Sequence, residues 1–403
     1  MLSNRYIRLG TERSAIRELF EYGVRRKAEL GADRVFDFSL GNPSVPCPEI
    51  VNEEIKRLAS TDPIASHGYT SAPGDPVVRD AIARFITRTQ GFPARAEELY
   101  LTCGCAAALV ATLSAVVSPG EEVIVLAPYF PEYRVFVEGV GATLREVKCK
   151  GEDFSPDPEA IKATLNEKTA AIIINSPNNP TGAVYSEEDI RAIAELLNTF
   201  CRENGRTVYI ISDEPYRELV YDDARVPFIP SYYSDTIVCY SFSKSLSLPG
   251  ERIGYVFVPH CAREADSVYA AVAGAGRSLG YVCAPSLMQK IIPACLGLTA
   301  DISVYNQNRL ALYDGLTKMG FVACKPKGAF YLFLRAPSGD AVELCERAKK
   351  YELLLVPSES FGYPGYARIS YCVRPEQIEA AMPAFRKLAE EYGLIKEIED
   401  EQA

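Results

Sequence analysis

Short apolar runs alternate with longer amphipathic stretches from about residue 95 to residue 260. Apolar runs of about four to eight residues are typical of buried strands, and amphipathic stretches of about a dozen residues are typical of helices that pack against a sheet. The pattern predicts a doubly wound α/β layer with a mostly parallel, seven-stranded sheet between helices. The predicted strands are residues 99–102, 122–127, 143–147, 170–175, 207–212, 236–240 and 254–258.

The last hundred residues follow a different pattern. A long helical stretch precedes two short strands, and Pro375 begins a final amphipathic helix. We expect a second, smaller α/β domain here, joined by an N-terminal helix. The predicted elements are helices at 14–31 and 303–318 and strands at 328–334 and 367–371. The predicted large domain is 46–295, and the small domain is 1–45 with 296–403.

Composition narrows the classes of protein that this chain can be. Its 403 residues are 48% hydrophobic and 24% charged, an ordinary globular balance. The net charge is 43 − 53 = −10, which argues against nucleic acid or an anionic membrane as a partner. No apolar run approaches the roughly 20 residues that span a bilayer, and no secretory signal begins the sequence. Twelve scattered cysteines and only two histidines argue against a disulfide framework and a metal site, so we expect a cytoplasmic protein.

Distinctive polar or aromatic residues follow four of the predicted strands. Asn179 lies in a turn after one strand, Asp213 and Tyr216 follow the next, and Lys244 follows a third. Phe130 comes after a fourth strand. Singly, each of these residues has an ordinary role as a turn residue, a helix cap, a surface charge or a core ring. Because ligands of open parallel sheets bind outside the carboxyl ends of the strands, we expect the five to share one site.

The segment "LTCGCAAALVATL" predicts a phosphate-binding turn. A strand, a glycine, small residues and then a helix leave the backbone N–H groups of Cys105 and Ala106 free to bind an anion. In "SFSKSLSLPGERIGY", Ser241 and Arg252 flank Lys244 and are predicted to hold the same anion. A flat, phosphorylated, heteroaromatic aldehyde would find a partner for each of its groups here, since the site combines an amine, an acid, an amide, an aromatic ring and an anion-binding turn.

Pyridoxal phosphate is such an aldehyde, and each of its functional groups has a candidate partner among these residues. On this hypothesis Lys244 is the nucleophilic amine and then the general base. Asp213 keeps the pyridine nitrogen protonated, Asn179 and Tyr216 bind the ring oxygen, and Phe130 stacks on the ring. The sequence therefore predicts an enzyme that uses this cofactor.

The chain resembles the class I/II, aspartate aminotransferase-like, pyridoxal-phosphate-dependent aminotransferases of fold type I. The resemblance covers nearly the whole chain and rests on the motifs "FSLGNPSVPCP", "HGYTSAPGDPVVR", "SPNNPTG", "SDEPY", "SFSKSLSLPGERIGY", "PKGAFYLF" and "ARISY". It implies a homodimer whose substrates are amino acids and 2-oxo acids. It also implies that Lys244 carries the cofactor and that Ser241 and Arg252 bind its phosphate. Arg368 is expected to bind the substrate α-carboxylate, and Gly41 is expected to lie in the loop that covers the substrate. By the same resemblance, Tyr69 reaches the phosphate in the partner subunit.

The sequence departs from the family at the phosphate turn, where Cys105 and Ala106 replace the usual serine, threonine or glycine, and at Phe130, where relatives often have tryptophan. Dicarboxylate-specific relatives carry a second cation. Its position falls on Leu279 if residues 283–285 take the place of the family's small-x-Pro turn, and Arg277, two residues away, could substitute only in a shifted loop. We therefore expect neutral, aromatic or aliphatic donors, with 2-oxoglutarate as an example of the acceptor. The alternatives are an aspartate aminotransferase and a C–S β-lyase on the same fold. A non-enzymatic ligand sensor would need a DNA-binding domain, for which we expect no room before the first motif.

Overall fold

The computed structural model describes residues 2–11 and 15–395. In chain order, the strands are β1 (Phe36–Asp37), β2 (Leu99–Thr102), β3 (Glu122–Ala127), β4 (Thr143–Lys148), β5 (Thr169–Asn175), β6 (Tyr209–Asp213), β7 (Thr236–Ser241), β8 (Gly254–Phe257), β9 (Tyr331–Arg335), β10 (Leu353–Leu354), β11 (Val356–Pro357) and β12 (Tyr366–Ser370). The α-helices are α1 (Asn4–Thr11), α2 (Ala15–Leu30), α3 (Glu49–Ala59), α4 (Pro63–His67), α5 (Pro76–Gln90), α6 (Cys105–Val116), α7 (Glu132–Gly139), α8 (Pro158–Thr164), α9 (Glu187–Asn204), α10 (Phe242–Ser245), α11 (Ala265–Ser278), α12 (Ser286–Cys295), α13 (Ile302–Lys318), α14 (Ala341–Lys349) and α15 (Pro375–Glu391).

The central sheet has seven strands in the order β2-β8-β7-β6-β5-β3-β4. All pairs are parallel except those that β8 makes with β2 and β7. All seven predicted strands are present, with ends that differ by at most two residues. Strands β2, β3, β5, β7 and β8 are buried at every residue, as expected for a sheet covered by helices on both faces. This complete burial explains why their sequences are continuous apolar runs.

Strand direction brings several chain segments to one edge of the sheet. The ends of β5, β6 and β7 are neighbours because these strands are parallel and adjacent, and Asn175 pairs with Asp213 in register. Strand β2 is antiparallel to β8, which is antiparallel to β7, so β2 ends at this edge too. The N-terminus of α6, which begins three residues after β2, therefore lies beside the ends of the parallel strands.

The C-terminal region forms a second, three-stranded antiparallel sheet, β11-β12-β9, and β1 pairs with β10. The predicted strand at 328–334 begins later, at Tyr331, because Gly328 and Ala329 donate their backbone N–H groups to Gly182 and Leu219 and not to β12. Helices α13, α14 and α15 share a buried core with this sheet, and Phe38 and Val45 of the N-terminal segment belong to it.

This shared core supports our proposal that 1–45 and 296–403 form one smaller domain. Residues 1, 12–14 and 396–403 of that proposed domain, which include Ser14 of the predicted N-terminal helix, lie outside the described residues. None of the helices in the described part of the chain is long and apolar enough to cross a membrane.

Candidate active site

A cavity of about 270 Å³ lies where the central sheet meets the second sheet. Its lining contains every predicted site residue except one: Gly41, Cys105, Ala106, Phe130, Asn179, Asp213, Tyr216, Ser241, Lys244, Arg252 and Arg368. The exception is Tyr69, whose side chain is 95% exposed and lies outside the cavity of this chain. Residues from distant parts of the sequence thus meet at the predicted sheet edge.

Asp213, the last residue of β6, is buried at the base of the cavity. Its Oδ1 accepts a hydrogen bond from the Cys105 thiol at 2.9 Å, and its Oδ2 accepts one from the Tyr133 hydroxyl. Asn175 Nδ2 donates to the Asp213 carbonyl oxygen at 2.9 Å. Burial raises the pKa of Asp213 to about 6, although the bonds from Cys105 and Tyr133 act to lower it. At neutral pH the carboxylate is therefore mostly ionised and can accept a hydrogen bond from a protonated ring nitrogen.

Lys244 lies on the short helix α10, which Ser241 caps through a hydrogen bond from the Ser243 backbone N–H. The Lys244 Nζ donates to the carbonyl oxygen of Gly41 at 2.7 Å. Burial, helped by the nearby charges of Arg252 and Arg368, lowers the pKa of Lys244 to about 8, although Cys372 acts to raise it. At pH 7 roughly a tenth of an amine with this pKa is neutral, far more than of an ordinary lysine, and the neutral amine is the nucleophile.

An anion cradle lies beside Lys244. The N-terminus of α6 begins at Cys105, after Gly104 in a left-handed conformation with φ of +81°. A Cβ on Gly104 would lie 2.7 Å from Arg252 Nη2, and the positive φ would strain any other residue, so glycine favours this close approach. Ser241 Oγ and Ser243 Oγ are 2.7 Å apart, and Arg252 Nη1 lies 3.5 Å from Ser243 Oγ. Free backbone N–H groups, two hydroxyls and a guanidinium suit a phosphate. Sequence reasoning missed Ser243, although it stands two residues from Ser241.

Arg368 approaches the cavity from β12 in the second sheet and is only 2% exposed. Its Nη1 donates to Asn179 Oδ1 at 3.1 Å, and its Nη2 donates to the Ser39 carbonyl oxygen at 2.6 Å. The Nε is buried without a hydrogen-bond partner. Burial lowers the pKa of Arg368. Because an unpartnered buried donor is costly, this guanidinium is well suited to gain a carboxylate ligand.

Aromatic side chains complete the walls. The hydroxyls of Tyr216 and Tyr331 form a hydrogen bond of 2.9 Å. The ring of Phe130 packs edge-on against that of Tyr133, with ring centres 5.7 Å apart. A Cβ on Gly41 would collide with the Tyr331 hydroxyl, so the loop that accepts from Lys244 requires glycine there. The sequence motif "PKGAFYLF" includes Tyr331, but nothing local in the sequence indicates the hydrogen-bond partners of Tyr331 or Tyr133.

The donor and acceptor groups of the cavity fit pyridoxal phosphate. Lys244 offers an amine for its aldehyde, Asp213 an acceptor for its ring nitrogen, and the cradle of Ser241, Ser243 and Arg252 a set of donors for its phosphate. The unpartnered Nε of Arg368 leaves a donor for a carboxylate that arrives with a substrate.

Comparisons with known proteins show the family of the chain. Residues 33–385 match the family described as aminotransferase class I and II. The chain is 31% identical over 369 residues to a probable aspartate/prephenate aminotransferase of Thermus aquaticus, which covers 90% of this chain and 92% of the relative. An aminotransferase structure from Eubacterium rectale superimposes with a TM-score of 0.95 at 53% identity, over 97% of this chain and 99% of that one. The aspartate aminotransferase of Thermus thermophilus with maleate gives 0.85 at 28% identity, over 96% and 99%.

The residues matched extend from the first strand to the last helix, and the fold agrees with fold type I. The chain belongs to the class I and II aminotransferases, and it is a transaminase whose cofactor is pyridoxal 5'-phosphate.

Proposed function

We propose that this aminotransferase moves the amino group of a neutral L-amino acid, aromatic or aliphatic, to a 2-oxo acid such as 2-oxoglutarate. The cofactor supplies an electron sink for the charge that develops at the substrate Cα. Lys244 Nζ carries the proton to and from Cα, and Asp213 holds the proton on the ring nitrogen. Arg368 binds the substrate α-carboxylate, assisted by Asn179. The unpartnered Arg368 Nε supports that assignment.

The remaining predicted residues have holding and covering roles in this proposal. The phosphate is bound by the hydroxyls of Ser241 and Ser243, by Arg252 and by the backbone N–H groups that begin α6. Asn179 and Tyr216 hydrogen-bond the ring oxygen, Phe130 stacks on the ring, and the loop with Gly41 excludes water. Since Ser241, Ser243 and Arg368 are buried before the ligand arrives, little reorganisation of these donors accompanies binding.

The proposal that the donor has a neutral side chain depends on the charged residues that line the cavity. Among the described residues that line it, the cations are Lys244, Arg252 and Arg368, and each has a role already. Arg277, on α11, and Leu279, just after it, are exposed and do not line the cavity of this chain.

Apolar and aromatic side chains make up much of the remaining wall, including Ile16, Leu40, Phe130 and Tyr331. A buried side-chain carboxylate without a cation costs several kcal/mol. Neutral side chains are therefore favoured.

A screen of amino donors tests this proposal. We expect kcat/KM with 2-oxoglutarate to be at least about tenfold higher for phenylalanine, leucine, methionine or alanine than for aspartate, because a carboxylate left unpaired loses more than ~1.4 kcal/mol. Aspartate is the second candidate, since the Thermus aquaticus relative is named an aspartate/prephenate aminotransferase. A preference for aspartate would contradict the proposal and would indicate a cation contributed from outside this cavity lining. Release of pyruvate and ammonia without an oxo acid would indicate a β-lyase instead.

We further propose a homodimer in which Tyr69 of each chain contributes to the partner's site. Tyr69 is 95% exposed in the single chain, so its side chain is accessible to a second copy of the chain. Inactive Lys244→Ala and Tyr69→Ala chains, mixed after dissociation, should form heterodimers with one intact site and recover up to about half of the activity per heterodimer. A sedimenting monomer with full activity, or no recovery on mixing, would contradict a shared site.

We also propose that the protein works in the cytoplasm. All twelve cysteines are free thiols in the structure, and a reducing compartment maintains that state.

A further inference from the structure

The side chain of Cys105 makes a contact for which the phosphate cradle does not account. The thiol Sγ lies 2.9 Å from Asp213 Oδ1 and 3.2 Å from the Cys239 carbonyl oxygen. Both Cys105 and Asp213 are buried, and both line the cavity. The backbone N–H of Cys105 belongs to the start of α6, whereas its side chain points to the acid at the end of β6.

The thiol is the donor in this contact. Burial raises the pKa of the Cys105 thiol well above its usual range, and the neighbouring charge of Asp213 raises it further. The sulfur therefore keeps its proton throughout the range in which an aminotransferase works. A protonated thiol beside a carboxylate donates to it and stabilises its ionised form.

Several titratable groups face Asp213 from the elements packed around it. They are Cys105 on α6, Tyr133 on α7, Cys239 on β7, and Glu214 and Tyr216 on the segment after β6. Of these, Cys105 and Tyr133 donate hydrogen bonds to the carboxylate and lower its pKa, while the charge of Glu214 raises it. Burial opposes ionisation more strongly than any of them. The ionised state of Asp213 thus depends on a small number of donors.

We propose that Cys105 is a positioning residue that acts through Asp213. Its thiol holds Oδ1 and keeps the carboxylate ionised, so that the carboxylate can accept a hydrogen bond from the protonated ring nitrogen of the cofactor. This inference rests on the proposed role of Asp213. A serine at this position would keep a donor on a side chain of similar length, and alanine would remove the donor while leaving the backbone of the cradle intact.

The test measures the association of pyridoxal phosphate with the apoprotein as a function of pH. In Cys105→Ala, the pH at which affinity falls by half on the acid side should move up by about one unit, because one charge-assisted hydrogen bond to Asp213 is lost. Cys105→Ser should return this midpoint to within about 0.3 units of wild type. The matched control is Cys103→Ala in the same turn, whose thiol is directed to the Cys283 carbonyl oxygen at 4.0 Å and which should leave the midpoint unchanged. The titrating groups of the cofactor are the same in every arm.

Two results would overturn the inference. The first is a Cys105→Ala midpoint equal to that of wild type. The second is a folded Cys105→Ser variant that fails to restore the midpoint, because that failure is what a purely steric role of the sulfur predicts. Asp213→Asn separates these failures from a failure of the proposed function. If that variant binds the cofactor with the wild-type pH dependence, the role of Asp213 is itself wrong. If it loses the acid-side transition while Cys105→Ala does not shift it, only the role of Cys105 is wrong.

Discussion

The Lys244→Ala variant should lose transamination by roughly 10³-fold or more while it still binds pyridoxal phosphate without a covalent link. The loss is large because one side chain has two roles in the proposed function, as the amine that attaches to the cofactor and as the group that moves the Cα proton. Phosphate binding should survive because Ser241, Ser243 and Arg252 do not depend on the Lys244 amine. Single-turnover kinetics and equilibrium dialysis of the cofactor measure the two effects separately.

The pKa of Lys244 predicts how the rate of cofactor attachment depends on pH. Burial lowers the pKa of Lys244 to about 8, so the neutral, nucleophilic amine increases as the pH rises through about 8. The rate at which the wild-type apoprotein attaches the cofactor should rise over that interval and then level off. Lys162→Ala, at an exposed lysine of α8, is the control and should behave as wild type. Full activity in Lys244→Ala would contradict the assignment of the lysine.

Arg368→Ala should raise KM for both the amino acid and the oxo acid by roughly 10²-fold or more, with cofactor affinity unchanged. Both substrates carry an α-carboxylate, and a bidentate guanidinium provides two charge-assisted hydrogen bonds to it. Among the described residues that line the cavity, the other cations are Lys244 and Arg252, which have roles on the cofactor, so the loss of Arg368 leaves the carboxylate without a charged partner.

Two further variants make this experiment specific. Arg368→Lys keeps the charge and loses the planar fork, so it should restore only part of the binding. Arg335→Ala removes an exposed arginine from the neighbouring strand β9 and should leave both KM values unchanged. Unchanged kinetics in Arg368→Ala would mean that a different residue anchors the substrate.

The apolar pattern was sufficient to predict the central sheet because most of its strands are buried on both faces. Their runs are continuous, and the residues where they stop, such as Asn175 and Asp213, mark the edge at which the cavity lies. The start of β9 was predicted three residues early because Gly328 and Ala329 continue the small, apolar run, while their backbone groups bond to distant loops. Tertiary hydrogen bonds of this kind leave no local pattern.

The partners of the site residues could not be predicted for the same reason. Tyr133 is 80 positions away from Asp213, and its bond depends on how α7 packs beside β6. The thiol of Cys105 was interpreted only as a small side chain beside a backbone donor, because no local pattern associates it with an acid 108 positions away. Arg368 and Gly41 could be assigned only through the resemblance to a family, since they approach the cavity from outside the central sheet.

Borohydride reduction followed by peptide mass mapping tests the central claim most directly. Reduction converts a lysine–cofactor linkage into a stable amine, so the modified residue can be located in the sequence. We expect the visible absorption band of the holoenzyme to disappear and one adduct to appear, on the peptide that contains Lys244. An adduct on another lysine, or none after reconstitution with pyridoxal phosphate, would contradict the account of this site.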